Sequence, residues 1–355
     1  MTKALAIAAA LALPPLAHAQ SAVTLYGLID TGLTYVSNAG GKSEVVAADG
    51  IIQPSRFGLR GAEDLGAGTR VIFTLENGFS LNTGADSQPG LMFGRQAFVG
   101  IANNKWGSLT FGRQYDFIWD YMTLFSVGSR LGGYGFHPGD YDHLGGSLRI
   151  NNSMKYSVTP LAGLSLGALY AFGAVPASAG NGRVVAAGAL YSGGVFSAAF
   201  AYNNVHDMTL NPAAQIGTTL GPSFPSGTFV ANNMQNVEAA ISLTFGPSST
   251  RALFTATTIK HQSASVTMRS YEISEAFQIT PALSASAGFS ITRMSPSTWH
   301  VASAILDYSL SKRTDVYVST AFQNVTGGAN ATFLTLPASS NGRNFAARVG
   351  IRTLF

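Results

Sequence analysis

The sequence contains no cysteine, so neither disulfide bonds nor thiolate metal sites hold this chain together. Charged residues are also scarce, at 11% of 355 residues, whereas a soluble domain has about 25%. The net charge of +4 is too small to indicate a nucleic-acid partner. Beyond the N-terminal segment, no apolar run approaches the roughly 18 residues of a membrane-spanning helix. Two classes remain: a soluble all-β protein, or a chain whose apolar residues are spread over alternating strands.

The N-terminal segment has the features of a secretory signal peptide. Lys3 supplies a short positive region, apolar residues follow from Ala4 to Leu13, and Ala17-His18-Ala19 fits a small-x-small cleavage pattern. The apolar run is too short to span a bilayer. We therefore expect residues 1–19 to be a cleaved signal peptide and residues 20–355 to form one exported domain.

Apolar and polar residues alternate through most of the remaining chain. In "TRVIFTLENGF", for example, Val71 and Phe73 share one face of a strand and Glu76 lies on the other. Such segments of about 9 to 13 residues recur between clusters of Gly, Asn, Pro and Ser, which is typical of transmembrane β-barrels. The pattern predicts an all-β fold, a 16-stranded antiparallel transmembrane β-barrel, with its second strand at 51–62. A barrel of this size is wide enough for a water-filled channel.

Residues 116–147 have no strand pattern, and a loop of that length is usually functional. Glycines would let this segment turn sharply in a confined space, and its many aromatic residues could pack against a wall. Its carboxylates lie at the two ends, with Asp116 and Asp120 first and Asp140 and Asp142 last. The middle of the segment contains no carboxylate and one arginine, Arg130.

Several stretches spread over the chain resemble the Gram-negative general porins, especially the β-proteobacterial trimeric type. They include "SRFGLRGAEDLGAGTRVIFTLENGF" (55–79), "FGRQAFVGI" (93–101), "LTFGRQYD" (109–116) and the terminal "VGIRTLF". The resemblance implies that the loop at about 116–147 folds into the barrel and constricts it. It also implies a homotrimer in the outer membrane, in contact with lipid and lipopolysaccharide. In that family the terminal phenylalanine, here Phe355, is part of the signal read by the outer-membrane assembly machinery.

Strand parity and the resemblance place charged residues around the channel. In "SRFGLRG", Phe57 faces lipid, so Arg56 faces the lumen; in "LRINNSMKYSV", Ile150 is assigned outward, so Arg149 is assigned inward. The resemblance adds two further lumen arginines and a carboxylate. The predicted constriction consists of Arg56, Arg95, Arg113, Arg130, Arg149, Glu76, Asp116 and Asp120. Rings of arginine favour anions, so we predict a passive diffusion channel, not an enzyme, with a preference for anions.

Other chemistries have weaker support in the sequence. "HPGDYDH" (137–143) groups two histidines with two aspartates, but their spacing matches no zinc motif. "GGKS" (40–43) lacks the first glycine of a phosphate-binding loop, because Val36 stands in its place. The alternative function is a barrel enzyme or an adhesin that acts through its outer loops. No metal or cofactor is predicted.

Overall fold

The computed structural model describes residues 22–173 and 182–355, so the predicted signal peptide lies outside the described residues. Within them the chain forms one sheet of 17 strands. The strands are β1 Ala22–Ala39, β2 Lys42–Asp49, β3 Arg56–Gly66, β4 Thr69–Gly78, β5 Gln96–Asn103, β6 Gly107–Gln114, β7 Ile150–Leu161, β8 Leu164–Ala171, β9 Val184–Gly193, β10 Phe196–Leu210, β11 Phe229–Phe245, β12 Ser248–His261, β13 Ala264–Gln278, β14 Leu283–Met294, β15 Ser297–Ser309, β16 Thr314–Thr326 and β17 Arg343–Leu354. Two short α-helices are also present, α1 Val127–Leu131 and α2 Pro212–Ile216. None of the helices in the described residues has both the length and the apolar character needed to cross a membrane.

The sheet closes on itself through β1. This strand pairs with β17 over Leu28 to Val36, and its first half also pairs with β3. Phe355 completes the seam, because its backbone N–H and carbonyl both bond to Gly27, each at 3.0 Å. β2 pairs with the second half of β1 and β3 with its first half, so β2 and β3 together occupy one strand position of the barrel wall. Each strand position of the wall is here called a stave, and the one shared by β2 and β3 is called the broken stave. The predicted barrel of 16 antiparallel staves is therefore confirmed.

The predicted second strand at 51–62 is wrong in its first half, because the stave is broken between Gly50 and Ser55. The backbone there turns inward, and the carboxylate of Asp30 accepts hydrogen bonds from the N–H groups of Ile52 (2.7 Å) and Gln53 (3.0 Å). These bonds replace the ladder bonds that a continuous strand would make. A side-chain acceptor on a neighbouring strand thus ends the strand at a place where the apolar pattern alone continues it.

The two faces of the wall differ as the alternation predicts. On β13 the side chains of Tyr271 and Ile273 are 47% and 57% exposed on the outside, whereas Glu272 and Ser274 between them are buried. The same exchange of exposed apolar and buried polar side chains recurs around the barrel. A wall with an apolar outer surface and a polar inner surface is suited to lipid outside and water inside.

The two ends of the barrel carry different connections. At one end, here called the turn rim, the strands are joined by short turns such as 67–68 and 246–247, and Phe355 lies there. The opposite end, here called the loop rim, carries the long connections, which include 79–95, 211–228 and 327–342. Outer-membrane barrels place short turns at the periplasmic side and long loops outside the cell.

Candidate functional site

The longest connection, residues 115–149 between β6 and β7, lies across the inside of the barrel and is here called the inner loop. A π-helical turn at Ile118–Met122 contacts β9, β10 and β11, and α1 contacts β13, β14 and β15. Farther along, the hydroxyl of Tyr134 lies 3.0 Å from that of Thr34 on β1. Because the inner loop contacts the inner faces of strands around most of the barrel, it divides the lumen.

The inner loop meets the broken stave at Gly133. Its N–H donates to the carbonyl of Ile51 at 2.9 Å. A Cβ atom at this position would lie only 2.3 Å from that carbonyl oxygen, so a side chain does not fit. The glycine is required here by the close approach of two backbones.

A buried histidine fixes the far part of the inner loop to the wall. His137 lies 2.5 Å from Asp142 through Nδ1 and 2.8 Å from Glu272 on β13 through Nε2. Glu272 also accepts the N–H of Val127 at 2.7 Å, and Asp142 accepts the hydroxyl of Thr255 at 2.9 Å. Burial alone would lower the pKa of His137, but the two carboxylates outweigh it and raise this pKa to about 10. His137 is therefore a cation at neutral pH and joins two carboxylates.

The second histidine of "HPGDYDH" has a different state. Burial lowers the pKa of His143 to about 4, although Asp142 acts in the opposite direction. Its Nδ1 lies 3.4 Å from the amide of Asn203 and 3.3 Å from that of Asn236, both on the inner wall. Both histidines are 2% exposed, and no group of three or more His, Asp or Glu in the described residues could hold a metal ion. The buried side chains of this segment therefore help to fix the loop to the inner wall.

Neither of the two aspartates at the start of the inner loop leaves an unpaired charge in the open space. Asp116 is buried and accepts the side-chain amide of Asn203 at 2.7 Å and the N–H of Ile118 at 3.1 Å. Asp120 lies 2.5 Å from the ammonium group of Lys155 on β7. Of the two, Asp120 alone borders the cavity described below.

Two of the predicted wall arginines share one carboxylate. Glu76 on β4 lies 2.7 Å from Nε of Arg95 and 3.6 Å from Nε of Arg56, and it accepts the hydroxyl of Tyr26 at 2.9 Å. Arg95 is 2% exposed, whereas the side chain of Arg56 keeps 21% of its surface in contact with open space. The two arginines carry two positive charges and Glu76 neutralises one of them. The remaining positive charge faces the open space at Arg56.

Tyr115, at the root of the inner loop, collects further guanidinium groups. Arg95 and Arg149 lie over its ring at 5.8 and 5.3 Å, and Nε of Arg149 donates to its hydroxyl at 3.0 Å. Strand parity predicts that Ile150 faces outward and, from this, that Arg149 faces inward. The prediction for Ile150 is wrong. An irregularity in the β6–β7 register shifts the parity, and Ile150 packs in the core beneath the loop. Arg149 still lies close to Arg95, over the ring of Tyr115 at the loop root.

Arg113 does not face the lumen, so that part of the prediction is wrong. Thr110 and Gln114 bond to each other on the inner face of β6, and Arg113 lies on the opposite parity, with exposed Phe111. Its guanidinium is held by the carbonyl of Gly94 at 2.8 Å and by the side chain of Asn151. The resemblance is correct in placing Arg113 beside the loop root, but the strand turns its side chain outward.

The open space of the barrel forms a cavity of about 910 Å³ between the inner loop and the broken stave. It extends from Thr335 near the loop rim to Pro247 at the turn rim, so it reaches toward both ends. Its charged lining residues are four arginines and two aspartates: Arg56, Arg130, Arg251, Arg352, Asp120 and Asp307. Three of these, Arg56, Arg130 and Asp120, belong to the predicted constriction.

The other three lining residues were not predicted, although strand parity contains the signal for each of them. Arg251 on β12 shares the inner face with Thr255, and Arg352 on β17 shares it with Arg348. Arg352 is paired with Asp307 at 3.4 Å and with Asp315 at 3.0 Å. Among the described residues, Arg130 and Arg251 form no ion pair with a carboxylate. The unpaired charges at the cavity are therefore positive.

Comparison with known proteins decides the family. A family model described as Gram-negative porin matches residues 4–328. The chain belongs to the Gram-negative porins. It is 31% identical over 231 residues to an outer membrane porin protein of Bordetella pertussis, and 34% identical over 179 residues to outer membrane porin protein 32 of Delftia acidovorans.

These two matches cover 57% and 48% of this chain, and 59% and 50% of the relatives, so the chain spans only part of the length of the curated relatives. Among solved structures, the anion-selective porin from Comamonas acidovorans has a TM-score of 0.78 and 23% identity, covering 95% of this chain and all of that one. OmpT of Vibrio cholerae has a TM-score of 0.69 and 13% identity over 94% of this chain and 98% of its own. These likenesses support the fold. Family and barrel together place this porin in the outer membrane.

Proposed function

We propose that this porin forms a water-filled channel for passive diffusion of ions and small hydrophilic solutes, and that the channel prefers anions. The observation that carries the proposal is the cavity beside the inner loop and the positive excess of its lining. Residues 116–147 act in this proposal as the constriction loop. The likeness to the anion-selective porin from Comamonas acidovorans agrees with the preference, and the charge argument below stands without it.

The charge excess follows from how the lining residues are paired. Arg56 and Arg95 share Glu76, so this group has one positive charge in excess. Arg130 and Arg251 add unpaired charges, and Lys155 neutralises Asp120. Arg352 lies between two aspartates, a group with one negative charge in excess. Taken together, these residues have two positive charges in excess. A low-dielectric lumen focuses such a field on the passing solute.

The expected preference is several-fold and not absolute. At an effective dielectric constant of about 20, one unit charge acts on an ion about 6 Å away with roughly 3 kcal/mol before screening. Physiological salt screens exposed charges beyond about 8 Å. Arg56, Arg130 and Arg251 act directly on the solute in this proposal. Arg95 and Glu76 position Arg56. Arg149 packs on Tyr115, and Arg113 and Asp116 support the root of the loop.

The remaining parts of the proposal concern assembly. A signal peptide at residues 1–19 directs export, and Phe355 is read by the assembly machinery. The bonds between Phe355 and Gly27 support this, because they place the terminal residue in the closing seam. The mature porin is a homotrimer that contacts outer-membrane lipid and lipopolysaccharide. Cross-linking in mild detergent tests the trimer, and a product of monomers alone would reject it.

The test of selectivity is the zero-current potential of single channels across a KCl gradient. Arg56→Glu and Arg251→Glu are expected to move the potential toward cation preference. Arg149→Glu should have a smaller effect, because Arg149 does not line the cavity. Arg343→Glu is the matched control, since Arg343 lies at the loop rim and bonds to Asn324 away from the cavity. A cation-selective wild type, or equal shifts in all four variants, would refute the proposal.

A further inference from the structure

The outer surface of the barrel has a basic belt at the loop rim, formed by Lys260, Arg269 and Arg293. Arg269 on β13 and Arg293 on β14 are direct cross-strand partners and form the last pair between these strands at that rim. Both share the outer parity with exposed side chains, Tyr271 on β13 and Phe289 on β14. Lys260 lies on the outer face of β12, opposite Ser265. All three side chains of the belt are exposed.

Two arginines that face each other across a ladder destabilise a sheet. None of the three belt residues forms an ion pair in the described part of the chain. On the outer face of β12 to β14 the sole carboxylate is Glu275, which lies six residues beyond Arg269 toward the turn rim. At about 3.3 Å per residue, that separation is about 20 Å. The described part of the chain therefore supplies no anion to the belt.

The position of the belt indicates where the missing anion comes from. Directly below it, toward the barrel middle, lies an outer aromatic group in which Phe254 and Tyr271 have ring centroids 5.2 Å apart. Aromatic side chains of this kind mark the boundary between hydrocarbon and headgroups in outer-membrane barrels. The belt is thus at headgroup level, in the leaflet on the loop side. Long arginine and lysine side chains reach headgroups from such positions while their stems cover apolar surface.

We propose that the basic belt binds a phosphate-bearing glycolipid of the outer leaflet, the lipid A part of lipopolysaccharide. The proposal builds on the lipid contact included in the proposed function and gives it a site. The guanidinium groups of Arg269 and Arg293 form a fork for one phosphate, since arginine matches phosphate with two parallel hydrogen bonds. Lys260 lies on the neighbouring strand about 13 Å farther toward the loop rim, four residues along the strand direction. It contacts a second anionic group of the same headgroup.

The test is binding of purified diphosphoryl lipid A to the full mature porin in mild detergent, measured by native mass spectrometry. Arg269→Gln with Arg293→Gln is expected to weaken binding at least roughly tenfold, because both guanidinium groups that bind the phosphate are lost. Arg343→Gln with Lys42→Gln is the matched control. It removes the same charge from exposed residues at the same rim and should bind like the wild type. Arg269→Lys with Arg293→Lys keeps the charge but not the fork and should be intermediate.

Two further arms identify the source of the phosphate. Lipid A from which both phosphates have been removed should bind weakly and equally to wild type and double variant. Inorganic phosphate at the same concentration should not displace the lipid; displacement would show a site for free anions and overturn the proposal. Lipid A binding by the glutamine variant that equals wild-type binding would also overturn it.

The same variants distinguish this proposal from that of the channel. Because the belt is outside the barrel, the zero-current potential of the glutamine variant should equal that of the wild type, whatever selectivity the channel has. Folding is checked by the gel mobility of unheated and heated samples. If the glutamine variant does not fold, the lysine variant carries the test, and unchanged lipid A affinity in it would reject the fork.

Discussion

Replacing His137 with alanine tests how the inner loop is held inside the barrel. His137 is a buried cation between Asp142 of the loop and Glu272 of the wall. The variant leaves two carboxylates buried without their shared partner. Breaking a buried ion pair by removing one member costs about 3–5 kcal/mol. The wall itself is held by strand pairing that does not involve this residue, so the loss should fall on the position of the loop and leave the barrel folded.

The matched control is His143→Ala. This histidine lies in the same loop, is equally buried and is neutral because its pKa is lowered to about 4. Its contacts with two asparagine amides are long, 3.3 and 3.4 Å, and a neutral hydrogen bond contributes only about 1 kcal/mol. The two substitutions remove the same number of atoms but differ in the charge that they leave behind.

Single-channel recording at constant voltage measures the effect. His137→Ala should widen the distribution of conductance levels and increase open-channel noise, because the loop leaves its position beside the cavity part of the time. His143→Ala should resemble the wild type. Equal traces for the two variants, with folded barrels in both, would refute the role of His137 in holding the loop.

Three further outcomes are expected. The pKa of His137 is raised, so its stabilising effect is complete below the ordinary value of about 6.5 and is lost as pH rises through about 10; wild-type noise should therefore increase in that interval, and His137→Ala should remove this pH dependence. Gly133→Ala should disturb conductance, because the new Cβ would lie 2.3 Å from the carbonyl of Ile51, whereas Gly227→Ala, with no atom within 4 Å, should be neutral in the same recordings. Deletion of Phe355 should lower the amount of porin in outer-membrane fractions, and normal surface levels would contradict its role in assembly.

The barrel could be predicted from the sequence because its signal repeats. Each stave presents apolar side chains outward and polar ones inward, so even weak strands add up to a consistent count. Prediction failed where one residue outside the repeat redirects the backbone. The carboxylate of Asp30 breaks the second stave, and an irregularity at Asn152, whose φ is +52°, turns Ile150 inward. Neither effect can be read from the alternation of a single strand.

The site was predictable in part for the same reason. Arg56 and Glu76 follow strand parity, and in the structure they lie together with Arg95. Arg251 and Arg352 follow it too, but a parity argument does not tell which inward residues border the open space. Which inward residues border the cavity depends on the path of the inner loop through the lumen. This path is set by contacts such as those of His137 with Glu272 and of Gly133 with Ile51, which are distant from each other in sequence.

The same path determines the sign of the net charge at the cavity. The acids of the inner loop could have cancelled the arginines if they had turned toward the cavity. Instead Asp116 and Asp142 bond to side chains of the inner wall, and Asp140 accepts the N–H groups of Gly145 and Ser147 within the loop. Asp120 alone borders the cavity, and Lys155 neutralises it. The inner loop thus has an acidic side toward the wall and the single arginine Arg130 toward the open space, so the loop increases the positive excess at the cavity.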